Sequence, residues 1–599
     1  MPPLPPSAVP TSPLRSLPVG LLAFALYAAT CARTAQGGDA SEFMTIAAAG
    51  GVAHPPGYPL YSLLVQAFAA IPVGTVAFRA SLCSAALAAT ALSVLHATVA
   101  RVTGSSLAGW IAAGALGLSG LFWRYATVSE VFALGALTAT LVLWVCARIG
   151  DGWSGPRAQA ALGLAVATGI ANHHTVVLLA PLAFWATWRA LPRPLRPGQV
   201  AAGLLASAGA QATGFLCYLS LMRPGGAWRW GQTGTLDGLI HHFLRADYGT
   251  FDLGLQVQPV QPWEHPLAWL STLPPRWSWA YAAVAVVGLV VAVRPGPRRG
   301  LLLATLASWL VAGPLFLSRF NLGVNPEGLV VASRFYILPD TLLALFAGVG
   351  AAALARQRWA GPALLAGLLL HGAAQLEDAR HDDWTVLEDH LINALGAVEP
   401  DAVLVTSSDH WLFGGRYAQD VLGLRPDVTL VHAPLLGAGW YRDRVAAGAP
   451  GAPGAPGAAG LRVEGPRIAD AVAAAWPHRP VYLSPLLAAD PQVVASLPPL
   501  YPESAVLLRV LPPGAPLPSP ARVEQQMRQA EARFVLRSEV ASLAQWERTW
   551  EAWAPRQHMH CWLALESAWR AAGDEEGARR ARQAARRWSP FEEPPGGAP

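Results

Sequence analysis

The segment FRASLCSAALAATALSVLHATVA, residues 78–100, is apolar along almost its whole length. A predominantly apolar run of about 20 residues is long enough to cross the hydrocarbon core of a bilayer as one α-helix. Comparable runs recur on both sides of it, at 17–35, 105–122, 127–147, 200–222, 279–293, 300–319, 335–355 and 359–375. The sequence therefore predicts an α-helical polytopic membrane domain over residues 17–376.

A further apolar stretch, residues 161–188, is longer than one span requires. Both of its flanks are basic, and basic residues beside a span favour the cytoplasmic side of the membrane. The flanking residues are Arg148, Arg157, Arg189, Arg193 and Arg196. We therefore predict a tight hairpin of two short helices with its apex near Asn172-His173-His174 on the outer side, and about eleven crossings in all.

The sidedness follows from the first span and from the remaining basic loops. Residues 1–16 are predicted to be a cytoplasmic tail, and the first span is interpreted as an uncleaved anchor. The arginines of the later loops then fall inside, namely Arg294, Arg298, Arg299, Arg356 and Arg358. Residues 33–77, 223–278 and everything beyond about 376 fall outside. We predict a multi-pass protein of the inner (plasma) membrane whose C-terminal domain lies on the outer, periplasmic side.

The composition is typical of a membrane half followed by an aqueous half. Apolar residues make up 53% and charged residues 13% of the 599 residues, which is lopsided for a soluble protein of this length. Asp, Glu and Arg become frequent only after Glu377. The net charge of +5 is mostly arginine, and no basic run with interleaved aromatic residues marks a nucleic-acid surface. Nucleic acid is therefore not expected as a partner.

The aqueous half is predicted to contain a small α/β domain over residues 377–515. Short strand-like runs alternate there with helical ones. The runs are Ala402–Thr406, Val428–His432, Val481–Leu483 and Ala505–Val510. A Gly/Ala/Pro-rich insertion near residues 448–460 interrupts the pattern. Residues 516–590 are predicted to form a helical region, and residues 591–599 a disordered tail.

The cysteines and histidines predict no metal centre. Four of the five cysteines lie in or beside apolar runs, and Cys561 stands alone in the aqueous half, so no internal disulfide is expected there. The tract His558-Met559-His560-Cys561 is interpreted as part of a surface helix that carries these residues by chance. We predict no cofactor, while a requirement for a divalent cation stays open.

The segment Gly37-Gly38-Asp39-Ala40-Ser41-Glu42-Phe43 is the strongest candidate for chemistry. Two acids three residues apart lie on one face if the segment is helical. Two nearby carboxylates disfavour each other's ionisation, which is one way to obtain a general base near neutral pH. Acids are also ordinary at helix N-termini. A catalytic role and a merely helix-starting role both stay open on this pattern.

The order of motifs resembles one family of polytopic membrane proteins. The Gly-Asp-x-x-Glu-Phe segment is followed by His54-Pro55-Pro56-Gly57-Tyr58-Pro59-Leu60-Tyr61. Further matching blocks are Phe78–Ser81, Ser129–Leu134, Asn172–Thr175, Trp230–Gln232, Ala246–Gly249, Ser333–Tyr336, Pro400–Leu404 and Gly423–Val428. The family was long filed as a domain of unknown function, and its vertebrate member is an endoplasmic-reticulum protein O-mannosyltransferase for plexin-type ectodomains. Gln232 and Ser81 depart from the residues that family members often carry.

The resemblance implies an enzyme. The family is similar to multi-spanning glycosyltransferases of the GT-C type, which take a sugar from a polyprenyl-phosphate carrier and invert the anomeric centre. It implies a mannose donor and an acceptor hydroxyl on Ser or Thr of an exported protein. Asp39 is then the catalytic base, with Glu42 beside it. The residues implied in substrate binding are His54, Tyr58, Arg79, Glu130, His173, His174, Trp230 and Arg334.

Several of these residues have a second interpretation. Arg79 and Arg334 either neutralise the donor phosphate or anchor helix ends at the interface by snorkelling. Glu130 lies at membrane depth, where an acid needs a partner or an aqueous cavity, and this favours a function. His173 and His174 bind the donor phosphate, position the acceptor or serve only as interfacial residues.

Three alternatives compete with protein glycosylation. The same chemistry could act on a lipid or polysaccharide of the cell envelope. A transporter or flippase would tend to have repeated halves and broken helices at the midplane, and the sequence has no such repeat. A non-catalytic scaffold whose outer domain binds partners is the remaining alternative.

The predicted topology is tested by labelling single-cysteine variants in intact cells with a membrane-impermeant reagent. A cysteine at Ser407 should be labelled before lysis, because the C-terminal domain is predicted outside. Cysteines in the loops 148–157, 189–196 and 294–299 should be labelled only after lysis. If the Ser407 probe reacts only after lysis, the orientation and the outer-face site are both wrong.

Overall fold

The structure is a computed structural model that describes residues 13–250, 260–448, 459–538 and 549–589. Its internal contacts divide the chain into two compact units. Unit 1 is drawn from Met1–Arg33, Val52–Pro224 and Thr233–Asp382. Unit 2 is drawn from Thr34–Gly51, Gly225–Gln232 and Asp383–Pro599.

Unit 1 is helical, and every predicted span coincides with a helix. These helices are Leu17–Thr30, Val76–Thr103, Ser106–Gly117, Phe132–Gly150, Pro156–Ile170, Ala180–Ala190, Pro197–Leu216, Glu264–Ala292, Arg299–Leu310, Ile337–Leu354 and Ala360–Ala379. The predicted hairpin is confirmed, because two short helices flank the turn at Asn172-His173. Shorter helices are Pro59–Ala69, Gly120–Thr127, Leu236–Phe243 and Pro326–Ser333.

Fewer of these helices can cross a membrane alone than the predicted number of about eleven crossings. By length and composition, five segments of the described chain are long and apolar enough: Val76–Thr103, Phe132–Gly150, Pro197–Met222, Glu264–Ala292 and Pro326–Leu354. A sixth is the pair Ser106–Gly117 and Gly120–Thr127, which is bent by 71°. Leu17–Thr30, Pro59–Ala69 and Arg299–Leu315 are apolar but shorter. The difference arises because hydropathy counts apolar runs, whereas the folded chain breaks several of them with turns.

Glycines allow two long helices of unit 1 to touch through their backbones. A Cβ on Gly288 would lie 1.8 Å from the carbonyl oxygen of Phe346, and a Cβ on Gly350 would lie 1.9 Å from that of Val284. Any side chain at either position would therefore force the helices Glu264–Ala292 and Ile337–Leu354 apart. Small residues serve this role in membrane helices because lipid provides little hydrophobic driving force between them.

A buried ion pair ties the same two helices together. The Asp340 side chain is 3% exposed, and its Oδ2 lies 3.2 Å from Nη2 of Arg276. Trp269 donates its indole N–H to Oδ1 of Asp340 at 3.0 Å. The Arg276 carbonyl oxygen in turn lies 3.0 Å from Nε2 of His371, on the helix Ala360–Ala379. No local pattern in the sequence predicts this pair, since its members are 64 residues apart in the chain.

Unit 2 contains the predicted α/β domain as a five-stranded sheet. The strands lie in the order Thr429–His432, Val403–Thr406, Val481–Leu483, Leu508–Val510 and Leu500–Pro502. The first three are parallel, and the last two join antiparallel. The strand Leu500–Pro502 was not predicted. The helices of the unit are Ala40–Ala49, Val386–Ala397, Asp409–Asp420, Gly439–Ala447, Ile468–Ala475, Pro491–Ala495, Pro520–Glu531, Trp553–Ala571 and Glu575–Trp588.

The division into units differs from the predicted domain boundaries. The segments Thr34–Gly51 and Gly225–Gln232 belong to unit 2, although they were assigned to the membrane domain of residues 17–376. The predicted helical region 516–590 shares one unit with the α/β domain. A boundary placed at one point of the chain misses segments that pack elsewhere after folding. Most of the tail 1–16, most of the 448–460 insertion and the tail 591–599 lie outside the described residues.

The interpretation of residues 558–561 as an exposed tract is wrong. His558 and Cys561 are buried in the helix Trp553–Ala571. The His558 ring stacks on Trp588 with 3.9 Å between ring centroids, and its Nε2 lies 3.4 Å from Nδ1 of His390. Polar composition suggested a solvated face, but the aromatic residues of the neighbouring helices cover it.

The Asp340–Arg276 pair provides a test of what holds unit 1 together. Asp340→Ala should lower the free energy of unfolding by about 3–5 kcal/mol, because it leaves a buried guanidinium without its counter-charge. The double variant Arg276→Met/Asp340→Leu should recover most of that loss, since no charge then needs desolvation. Thermal unfolding of the purified protein in detergent measures both. Equal losses in the single and double variants would contradict this account.

Candidate active site

The two predicted catalytic acids lie in unit 2, at the start of the helix Ala40–Ala49. Asp39 occupies the N-cap position, and its side chain makes no capping hydrogen bond to the helix. Glu42 is in the first turn and is 1% exposed. The predicted helical turn that carries both acids is therefore present. An acid that only starts a helix normally uses its carboxylate to cap the first N–H groups, and Asp39 does not.

The two glycines before Asp39 fit against Trp550. A Cβ on Gly37 would lie 2.3 Å from the Trp550 Cβ, and one on Gly38 would lie 2.9 Å from the indole nitrogen. Gly38 also has φ of +66°, a backbone conformation that L side chains rarely adopt. The Gly-Gly pair is thus required for the close approach that places Asp39.

Two buried carboxylates hold the same segment through its backbone. The Gly37 N–H donates to Oε1 of Glu551 at 3.0 Å, and the Ala35 N–H donates to Oε2 of Glu388 at 3.0 Å. Charge-assisted hydrogen bonds of this kind are stronger than neutral ones. Neither acid was predicted, because nothing in the local sequence connects them with residues 35–37.

His410 is the titratable neighbour of Asp39. It follows the strand Val403–Thr406 and lies at the start of the helix Asp409–Asp420. Its Nε2 donates to the carbonyl oxygen of Trp550 at 2.9 Å, and its ring stacks on Trp553 with 4.8 Å between centroids. Burial lowers the pKa of His410 to about 4, against the opposing effects of the Trp550 hydrogen bond and of the Asp39 charge. The ring is therefore neutral at pH 7.

Glu42 is positioned by an indole. Trp228 donates its Nε1–H to Oε1 of Glu42 at 3.1 Å. The Trp228 ring also contacts Arg444, whose guanidinium lies 5.0 Å from the ring centroid. Trp230, which was predicted to bind substrate, lies beside Trp228 with 6.1 Å between ring centroids. The hydrogen bond from Trp228 thus fixes the Glu42 carboxylate, and Trp230 packs beside Trp228.

Unit 1 brings together four of the predicted substrate-binding residues. The Tyr58 hydroxyl and Nε2 of His54 share a hydrogen bond of 2.9 Å. The Tyr58 ring lies 5.7 Å from that of His173, and His173 packs on Phe335 at 5.8 Å. The Arg334 guanidinium lies 5.7 Å from the Phe335 ring centroid. His54, Tyr58, His173 and Arg334 therefore form one cluster.

A narrow cavity adjoins this cluster within unit 1. Arg334, His173 and Asn172 provide polar groups, and the other lining side chains are mostly apolar. The apolar ones include Phe132, Leu179, Phe316 and Leu338. A cavity with one cation and apolar walls suits a hydrocarbon chain that ends in an anion.

The remaining predicted residues lie apart from this cluster or reach it indirectly. Glu130 is buried, and its backbone N–H donates to the Ser84 hydroxyl at 3.2 Å. Its carboxylate and the Arg334 guanidinium are both within electrostatic range of the Tyr125 hydroxyl. Arg79 donates to the Ile71 carbonyl oxygen at 3.2 Å. The His174 ring packs on Phe243 at 4.8 Å, so the two adjacent histidines face different surroundings.

The positions of the His, Cys, Asp and Glu side chains bear on whether the site could hold a metal ion. Within the ranges that the structure describes, no three His, Cys, Asp or Glu side chains are grouped so that they could hold a metal ion. The candidate reactive groups of unit 2 are Asp39, Glu42 and the neighbours that fix them. The chemistry available in unit 1 is derived from a cation beside an apolar cavity.

Comparisons with known proteins agree with the motifs. Residues 39–192 match the family model described as the protein O-mannosyl-transferase TMEM260 N-terminal domain. The chain is 30% identical over 456 residues to protein O-mannosyl-transferase TMEM260 of Mus musculus, which is 71% of this chain and 63% of the mouse protein. It is 26% identical over 349 residues to the Dictyostelium discoideum protein of that name, covering 54% of this chain and 43% of that protein. The chain thus spans less than two thirds of these relatives, and the resemblance predicted from the motifs is confirmed.

Solved structures with a similar fold are also known. The crystal structure of ArnT from Cupriavidus metallidurans in the apo state matches with a TM-score of 0.52 and 13% identity, over 82% of this chain and 95% of that one. The same protein bound to undecaprenyl phosphate matches with a TM-score of 0.50 and 12% identity, over the same shares. The predicted GT-C-like helical membrane fold is confirmed by this likeness.

The buried His410 ring should make the protein less stable in mild acid. Because its pKa falls to about 4 on folding, from an ordinary value near 6.5, the unfolded chain binds a proton that the folded chain does not between these values. Stability is therefore full above about pH 6.5 and is lost as the pH falls towards about 4. His410→Gln keeps a donor for the Trp550 carbonyl and should weaken this dependence.

Thermal unfolding of the full chain at a series of pH values measures this effect. His478→Gln, at an exposed position of unit 2, is the matched control and should behave as the wild type. An unchanged acid dependence in His410→Gln would contradict the assignment.

Proposed function

We propose that this chain is a membrane glycosyltransferase that moves a hexose, with mannose as the expected sugar, from a polyprenyl-phosphate donor to a serine or threonine hydroxyl of an exported protein. The observation that carries the proposal is Asp39, a half-buried acid at a helix start that does not cap its helix. The names of the similar proteins support a protein acceptor. The lipid bound to the structural neighbour supports a polyprenyl-phosphate carrier.

The donor is assigned to the cavity in unit 1. Its apolar walls suit the polyprenyl chain, and Arg334 provides a cation for the phosphate. A guanidinium offers two parallel N–H groups to phosphate oxygens, and in a site of low dielectric constant this interaction is strong. The Phe132 and Phe335 rings lie 5.8 and 5.7 Å from the Arg334 guanidinium, so they limit its movement.

Asp39 is assigned as the general base. The acceptor oxygen attacks C1 of the sugar while its proton passes to the Asp39 carboxylate. The bond between C1 and the phosphate oxygen breaks, and its electron pair leaves with the phosphate. The configuration at C1 is inverted, through a transition state that resembles an oxocarbenium ion. No general acid is required, because the leaving group is already an anionic phosphate.

Glu42 is assigned a positioning role. Its hydrogen bond from Trp228 fixes one carboxylate oxygen, and its burial makes its charge act strongly on a neighbouring group. A second acid one helical turn from the base keeps the local field negative, which favours proton acceptance by Asp39. The site is placed at the outer face of the inner membrane, in accordance with the predicted topology.

Asp39→Asn should abolish sugar transfer while donor binding persists. Asn keeps the shape of the side chain but cannot accept the proton, and a positioned base contributes about 10²–10⁴-fold. Glu42→Gln should be milder. Turnover is measured with purified protein, a panel of polyprenyl-phosphate sugars and serine-containing peptides, with mass spectrometry of the product.

Glu464→Gln, at an exposed carboxylate of unit 2, is the control and should retain full turnover. A general base at Asp39 is incompatible with an Asp39→Asn enzyme that keeps more than about a tenth of the wild-type turnover. If Glu42→Gln is the inactive variant instead, the roles of the two acids are exchanged. Full activity in both variants would favour the binding scaffold.

A further inference from the structure

A pocket of about 160 Å³ lies within unit 2, along the strand Thr429–His432 and beside the last residue of the parallel strand Val403–Thr406. Thr406 and His432 are the last residues of the strands Val403–Thr406 and Thr429–His432, they pair with each other, and both line the pocket. Parallel α/β sheets place ligands at the carboxyl ends of their strands, because loops and helix starts converge there. The base assignment at Asp39 does not use this pocket.

The pocket carries an excess of positive charge. Arg416 and Arg444 both line it. Arg416 pairs with Asp420 at 2.7 Å, and both side chains are largely buried, at 12% and 8% exposure. Arg444 donates to the neutral carbonyl oxygens of Ala227 and Arg229, at 2.6 and 2.7 Å. Among the described residues, the two guanidinium groups of the pocket therefore share one ion-paired carboxylate, that of Asp420.

The proximity of the two arginines changes the pKa of Arg444. Burial, followed by the nearby Arg416 charge, lowers the pKa of Arg444 to about 10. The group is still protonated at pH 7, so the pocket keeps its net positive charge. The Asp420 carboxylate opposes this effect, but it is one negative charge beside two positive ones, and an anion in the pocket would balance the second.

Two residues that line the pocket carry a buried polar atom without a hydrogen-bond partner among the described residues. Trp411 is 1% exposed and Nε1 of its indole has no hydrogen-bond partner. His432 is 4% exposed, and its Nδ1 also lacks one. Both residues line the pocket. Buried polar atoms are bonded in the great majority of native structures, and the Trp411 indole N–H is a donor that an acceptor oxygen of a ligand could satisfy.

Trp228 connects the pocket with the proposed active site. Its ring lines the pocket and lies 5.0 Å from the Arg444 guanidinium, while its Nε1 donates to Glu42. A group held by Arg444 is thus one side chain away from Glu42, the acid to which a positioning role is assigned. This spacing suits a residue close in sequence to the one that receives the sugar.

We propose that this pocket binds the carboxylate of an acidic residue of the acceptor polypeptide, close to the hydroxyl-bearing residue; the proposal rests on the proposed function. A planar guanidinium matches a carboxylate through two parallel hydrogen bonds. The Trp228, Trp411 and Tyr441 rings give the aliphatic stem of a glutamate an apolar surface. The protein therefore prefers acceptor sites with a neighbouring acid.

The first test compares two peptides that differ in one group. Both are N-acetylated and C-amidated and contain one serine; one carries a glutamate beside it and the other a glutamine. The wild-type protein should use the glutamate peptide with a kcat/KM about tenfold higher or more, mainly through KM, as the loss of a charge-assisted hydrogen bond implies. Arg444→Gln keeps donors for the two backbone carbonyls but should abolish this preference.

Arg442→Gln is the matched control, since Arg442 lies on the same helix and is bonded to the Leu436 carbonyl outside the pocket. It should keep the wild-type preference. The ratio of the two peptides is measured in one preparation, so partial unfolding of a variant does not alter it. Equal use of both peptides by the wild type, or an unchanged ratio in Arg444→Gln, overturns the proposal while the proposed function stands.

The second test separates the pocket from catalysis. A glutamate peptide with alanine in place of serine has no acceptor hydroxyl, and its binding to the full chain is measured by isothermal titration. Binding that is lost in Arg444→Gln supports the pocket even if no peptide receives a sugar, in which case only the proposed function fails. Competition by acetate at the same concentration as the peptide would make the pocket a general anion site and overturn the polypeptide assignment.

Discussion

The candidate site depends on one constraint, which is the burial of the helix Ala40–Ala49 in unit 2. The helix Ala40–Ala49 is enclosed over most of its length, so each of its polar groups needs a partner. Gly37 and Gly38 permit this enclosure by lying flat on Trp550, and the Glu551 carboxylate accepts the Gly37 N–H. Once the helix is buried, Glu42 takes its hydrogen bond from Trp228. The position of Asp39 follows from these contacts.

Buried polar groups also need partners in unit 1, where the surroundings are more apolar. Asp340 is tolerated inside the helices because Arg276 and Trp269 satisfy its two oxygens. Without such partners a charge among apolar helices is expensive. The Arg276–Asp340 pair is enclosed by helices, whereas the Arg334 guanidinium lies among aromatic rings and beside a cavity, where it can also contact a ligand.

Within the described part of the chain, unit 2 also contains a paired arginine and an arginine that lines a pocket without an ion-pair partner of its own. Arg416 is paired with Asp420, whereas Arg444 donates to two backbone carbonyls, which occupies two of its five N–H groups and adds no negative charge. Donor satisfaction and charge balance are separate conditions. Trp228 contacts both Glu42 and Arg444, so one aromatic side chain joins the proposed active site to the proposed acceptor pocket.

Local patterns in the sequence were sufficient for the helices of unit 1, the hairpin at Asn172-His173 and most strands of the sheet. They also located Asp39 and Glu42, because hydropathy, periodicity and motif spacing are properties of neighbouring residues. Tertiary structure alone decided the partners of these acids. Trp228 is 186 residues from Glu42, and Glu551 is 514 residues from Gly37. Such pairs leave no local signal, since they arise only when folding buries a polar group and a distant side chain must satisfy it.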